Sequence, residues 1–166
     1  MSKIFTFLLV LTLVLACKDA PVLSEEGQEQ GWTLDTESLP KKNMVNAKAA
    51  SLLGNWKEFT VFETSFDRLY TCQYAEDLIL VTEDLIEKQK ELEASQYPSK
   101  FDIPQVKGRQ KVLKTYILKV KGDLEYRVNP DVSIKEMVNA YNALRNQFNV
   151  VVNNTLPQDL ILNEKN

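Results

Sequence analysis

The sequence predicts an all-α protein, an up-down-up-down four-helix bundle that follows a leader and a linker. Three observations carry that prediction. Apolar residues recur at steps of three, four and seven over four stretches between residues 44 and 156, the spacing of one helix face at 100° per residue. No alternating run of comparable strength marks a half-buried strand. Prolines and short polar clusters fall between most of the stretches rather than inside them. The composition agrees, since 166 residues with 44% hydrophobic and 26% charged side chains, 5 Gly and 6 Pro describe an ordinary globular domain.

The first element is residues 1–16. Lys3 precedes the twelve residues Ile4 to Leu15, apolar but for two threonines. As a helix they would cover about 18 Å, short of a ~30 Å hydrocarbon core, so the run reads as the core of a signal peptide and not as a membrane anchor. Val14-Leu15-Ala16-Cys17 resembles the lipobox of bacterial lipoproteins, with Val14 where that family usually has leucine. The resemblance implies cleavage after Ala16, acylation of Cys17 and a lipid bilayer as partner. It places the chain in the cell envelope as an outer-membrane lipoprotein. Three acyl chains at ~0.8 kcal/mol per buried CH₂ would hold it there. Lys18-Asp19 resembles the export signal behind the lipid cysteine of Bacteroidetes surface lipoproteins, so the periplasmic and cell-surface faces both stay open.

Residues 17–43 read as the lipidated cysteine and a flexible acidic tether. Pro21, Gly27, Gly31 and Pro40 interrupt it, six acids outnumber three lysines, and neither helical nor strand period survives. A coil from Lys18 to Asn43 has an r.m.s. reach of about 28 Å. Trp32, Leu34 and Leu39 are its exceptions, with docking on the domain and an exposed recognition patch as the two readings.

Residues 44–156 carry the stripes. The first holds Leu52, Trp56, Phe59, Phe66 and Tyr70; the second Leu78, Val81, Leu85 and Leu92. The third runs from Val106 through Leu113, Tyr116, Ile117, Val120 and Leu124 to Val128. The fourth holds Ile134, Met137, Val138, Tyr141, Leu144, Phe148, Val151 and Val152. Nothing from Asn55 to Tyr97 is Gly or Pro, so one long helix over 44–95 is the alternative. A break near Tyr70 to Ala75 is preferred, because an unbroken helix of ~75 Å would outrun its neighbours and leave its stripe uncovered. Pro98 and Pro104 bracket a loop from Gln96 to Ile103. Ser133-Ile134-Lys135-Glu136 has the capping-box pattern. The remaining residues, 157–166, form a C-terminal tail.

Composition closes several chemistries. The chain has no His, which removes most triads and imidazole metal sites. With 20 basic against 23 acidic residues it lacks the basic excess of a nucleic-acid binder. Cys72 has no activating imidazole and reads as a core residue. The pairs Asp77/Asp84 and Glu76/Glu83 would stand ~10.5 Å apart on a helix, beyond the usual two-carboxylate spacing. No catalytic residue, metal or cofactor is expected.

Two candidate sites remain. Glu63 and Arg145 each interrupt an apolar stripe, and a lone buried charge is costly, so each requires a partner or a hydrated cleft. Two readings follow: an ion pair that fixes helix register, or a ligand pocket in which Glu63, Tyr116, Tyr141 and Arg145 grip a small polar molecule. Lys107, Lys111, Lys114 and Lys121 fall on one arc of the third helix, a basic strip suited to phosphate or sulfate groups of a glycan or lipopolysaccharide. The bland reading of that strip is charge pairing with the acidic second helix. The function expected is a lipid-anchored, non-catalytic helical module acting through an envelope protein partner, with the small-ligand bundle as the alternative.

Overall fold

The structure, a computed structural model, describes residues 32–154. The leader, Cys17, Lys18-Asp19 and the tail at 157–166 lie outside the described residues. Within them the protein is all-helical: α1 (Ala47–Gly54), α2 (Lys57–Asp67), α3 (Ala75–Ala94), α4 (Pro104–Glu125) and α5 (Asp131–Asn153), with 3₁₀ turns at Thr36–Ser38 and Arg68–Thr71. The one extended pairing among the described residues is an isolated antiparallel bridge between Thr33 and Tyr74.

Each of the helices α2 to α5 packs on the next, and α1 contacts both α2 and α5. The stripes supply the core. Leu78, Val81, Leu85 and Leu92 of α3, Val106, Leu113, Ile117 and Val120 of α4, and Ile134, Met137, Val138, Tyr141, Leu144 and Phe148 of α5 are all buried. Where α2 meets α5, aromatic rings span the gap: Phe59 meets Phe148 edge-on at 5.2 Å, and Phe66 stacks on Tyr141 at 4.0 Å. Such ring pairs add about 0.5–1.5 kcal/mol beyond their burial. Two fully buried rings, Phe62 and Phe101, belong to none of the stripes. Phe101 is held in the α3–α4 connection by its amide, which donates to the Pro98 carbonyl at 2.7 Å.

The chain does turn at residues 68–74, through the second 3₁₀ turn, so no helix runs unbroken over 44–95. Several boundaries differ from the sequence reading. The first stripe is divided at Asn55-Trp56, where Trp56 is extended and its ring is clamped by Phe59, Tyr97 and a hydrogen bond from Nε1 to Ser95 Oγ at 2.8 Å. The adjoining Gly54 and Asn55 have weak helix propensity, so tertiary anchoring of the indole decides the turn. The capping box at Ser133 does not form. Helix α5 already begins at Asp131, and the Ser133 hydroxyl donates to the Pro130 carbonyl at 2.9 Å. The third stripe stops short of Val128, because the chain leaves α4 through Arg127 in the left-handed region (φ 55). Val128 N donates to Asp123 O and Arg127 N to Leu124 O, a Schellman closure.

The largest difference concerns the tether. Residues 32–43, expected to be part of a flexible linker, lie on the helices: Leu34 and Leu39 are buried, and the Trp32 indole donates to Asp131 at 3.0 Å. Docking, rather than an exposed patch, describes all three apolar exceptions. Leu34 is pinned by its amide, which donates to Gln73 O at 2.9 Å, and the chain that follows is bonded to α5 through the main chain of Lys41 and Asn43, for which a polar composition gives no warning.

Candidate functional site

The seating of that segment builds the site. Asn142, Arg145, Asn149 and Asn153 fall on one stripe of α5 at steps of three, four and four, beside its apolar face. The Asn142 amide donates to Lys41 O at 2.9 Å and accepts from Asn43 N at 2.7 Å. Asn149 does the same one register on, donating to Met44 O at 3.0 Å and accepting from Asn46 N at 2.8 Å. Each asparagine thus binds a carbonyl and an amide of the same backbone segment with the two ends of its own amide. Asn46 then caps α1 by accepting from Ala49 N at 2.9 Å, and its own amide nitrogen donates to Asn153 at 3.3 Å.

Arg145 sits between the two asparagines and links the docked segment at 32–46, the strap, to α5 and α2. Its Nε donates to Asn43 O at 2.6 Å. Its Nη1 donates to Glu63 Oε1 and to the Tyr141 hydroxyl. Tyr141, one turn earlier on α5, donates to Glu63 at 3.1 Å, and the guanidinium lies 5.5 Å from its ring centre. On the outer side of Glu63, Lys42 Nζ approaches Oε1 at 3.5 Å and pairs with Asp67 at 2.6 Å. The Tyr70 hydroxyl donates to Pro40 O at 2.9 Å.

Burial governs the proton chemistry of the cluster. The Tyr141 phenol is pushed well above its ordinary range, first by desolvation and then by the Glu63 charge, against a smaller pull from Arg145. Tyr70 is raised by burial and by Asp67. Phenols held neutral in this way donate hydrogen bonds and are poor bases. Cys72 is buried, donates weakly to Arg68 O, and its thiol is raised by desolvation and Asp77, the reverse of an activated nucleophile.

Of the sequence-predicted residues, Glu63, Tyr141 and Arg145 are brought together. Tyr116 is not: it lies part-buried on α4 and makes no hydrogen bond to the other three. The strap and the asparagine stripe were not anticipated. The signal available was the spacing of Asn142, Asn149 and Asn153 with Arg145, polar residues stacked on one line of a helix otherwise read only for its apolar face.

The basic strip divides. Lys114 pairs with Glu93 at 2.6 Å and is the strip's ion pair to α3; Lys107 pairs with Asp102 and lies 5.1 Å from the Tyr97 ring centre; Lys121 pairs with Glu125 on its own helix at 3.4 Å. Lys107, Lys111 and Lys114 line an open groove of about 920 Å³, together with Glu93, Tyr97 and Gln110. Of the helical carboxylate pairs, Asp84 is tied to Arg68 at 3.3 Å. Among the described residues no group of three or more Cys, Asp or Glu side chains is placed to hold a metal ion, and no helix is long and apolar enough to cross a membrane. No protein-family model, curated protein or solved structure matches the chain.

Proposed function

We propose that this protein is a lipid-anchored, non-catalytic helical module of the bacterial envelope, held to the outer membrane through acylated Cys17 and working through protein contacts. The observation that carries the reading is the leader, Lys3 and Ile4 to Leu15 followed by Val14-Leu15-Ala16-Cys17. In this reading α2 to α5 make up the up-down-up-down four-helix bundle, and α1 and the strap lie over α5.

Two features of the described residues support a contact role over catalysis. The ionisable residues that break the apolar stripes are bound by one another and by the strap, so their chemistry serves the scaffold. Around the α4–α5 connection Tyr126 (82% exposed), Val128 and Val132 (68%) stand outside the core. Exposed aromatic and branched side chains this close together in the sequence suit a protein partner better than bulk water. The small-ligand reading of Glu63 and Arg145 draws less support, because Tyr116 stands apart and Arg145 already has three protein partners.

A photo-crosslinking residue placed at Val132 in the full chain, in intact cells, should give a discrete protein adduct that is lost when Tyr126 and Val128 are changed to serine. Recovery of uncrosslinked chain alone would contradict the contact role.

A further inference from the structure

We infer that the groove between the α3–α4 connection and the first half of α4 is a binding site for a short acidic sugar. The inference does not depend on the anchor or on the partner surface, which lies at a different connection. Its volume of about 920 Å³ is in the range of small-molecule sites, roughly 300–1,000 Å³. Its wall is rigid where it matters. The Tyr97 ring packs on Trp56 at 4.7 Å, its hydroxyl donates to Gln110 Oε1, and Trp56 is fixed in turn by Ser95.

The charges in the groove are arranged in a way that selects a ligand. At either side a lysine is neutralised by a carboxylate, Lys114 by Glu93 and Lys107 by Asp102. Lys111 lies between them on α4, lines the same groove and has no carboxylate partner among the described residues. Gln110, only 2% exposed, also lines the groove, and its Nε2 finds no acceptor among the described residues. A buried amide donor without a partner costs about 1–3 kcal/mol, a cost relieved when a small shift of the side chain brings Nε2, itself buried, to a ligand acceptor in the groove.

A ligand that matches carries one anionic group for Lys111, acceptor oxygens for the Gln110 amide, and hydroxyl donors for Glu93 and Asp102. That is the chemistry of a sugar bearing a single carboxylate or sulfate. A polyanion fits poorly: three lysines against two carboxylates leave one net positive charge, and successive phosphates would meet Glu93 or Asp102. A neutral sugar would leave Lys111 unused.

The test uses the full chain with Trp32→Phe, which leaves Trp56, packed against the groove wall, as the one tryptophan reporter. Short oligosaccharides carrying one carboxylate or sulfate are titrated beside their uncharged cores, with Trp56 emission as the readout. The acidic members should give saturable binding that Lys111→Glu weakens about tenfold or more, the loss of one charge-assisted contact. Lys121→Glu makes the same change in net charge on the same helix outside the groove and should leave affinity within about twofold. Lys111 is exposed, so its variant should keep the parent thermal midpoint. The inference is overturned if no acidic member binds, if the uncharged cores bind equally well, or if the two lysine variants weaken binding alike.

Discussion

Arg145 shows how a charge can occupy an apolar stripe without a ligand. Its side chain is 7% exposed and faces Glu63, 29% exposed, and the Asn43 carbonyl completes its surroundings. Glu63→Gln keeps an acceptor oxygen but removes the counter-charge. It should lower stability by roughly 1–3 kcal/mol, less than a fully dry pair because Glu63 is partly hydrated, and an unchanged urea midpoint would contradict the pairing. The neighbouring phenol predicts an alkaline limb. Since Tyr141 holds its proton to higher pH when folded than unfolded, its contribution is complete below about pH 10 and is lost as pH rises through the elevated folded value. Urea midpoints measured above about pH 10 should therefore fall with pH, and Tyr141→Phe should flatten that fall. The flattening should be partial, because Tyr70 and Tyr97 are raised as well.

Among the elements, helix faces were readable and their ends were not. The buried faces of α3, α4 and α5 follow the sequence period because burial of apolar area sets both. The end of α4 depends instead on one backbone angle at Arg127, a position where glycine carries no penalty and any other L-residue does. Arg127→Gly should accordingly stabilise the protein by about 0.5–1 kcal/mol, visible as a raised thermal midpoint; a lowered midpoint would show that the arginine side chain matters more than its φ. The strap was unreadable for a related reason. It is held mainly through its own amides and carbonyls, which every residue type possesses, while the specific side chains sit a hundred residues away on α5. Asn142→Ala with Asn149→Ala should raise the exchange rate of the Asn43 and Asn46 amides while α3 and α4 remain protected, an expected loss of about 1 kcal/mol per hydrogen bond. Uniform exchange across the domain would mean that the strap is not separately held.

For the whole molecule, the all-helical class was legible because hydrophobic period alone fixes it. The relation between tether and domain was legible only in part. Composition marks residues 17–43 as acidic and broken by Gly and Pro, yet Trp32, Leu34 and Leu39 already named the portion that docks. The candidate pair Glu63 and Arg145 was visible as two violations of a pattern, whereas the groove was not, since it depends on how the α3–α4 connection folds Tyr97 against Trp56. The proposed envelope role rests on the fate of Cys17. Intact-mass analysis of the chain extracted from membranes of its host measures this most directly. A lipid-anchored protein starts at residue 17 and is heavier by its diacylglyceryl and N-acyl groups; a chain that retains Met1 to Ala16 with an unmodified Cys17 rules the anchor out.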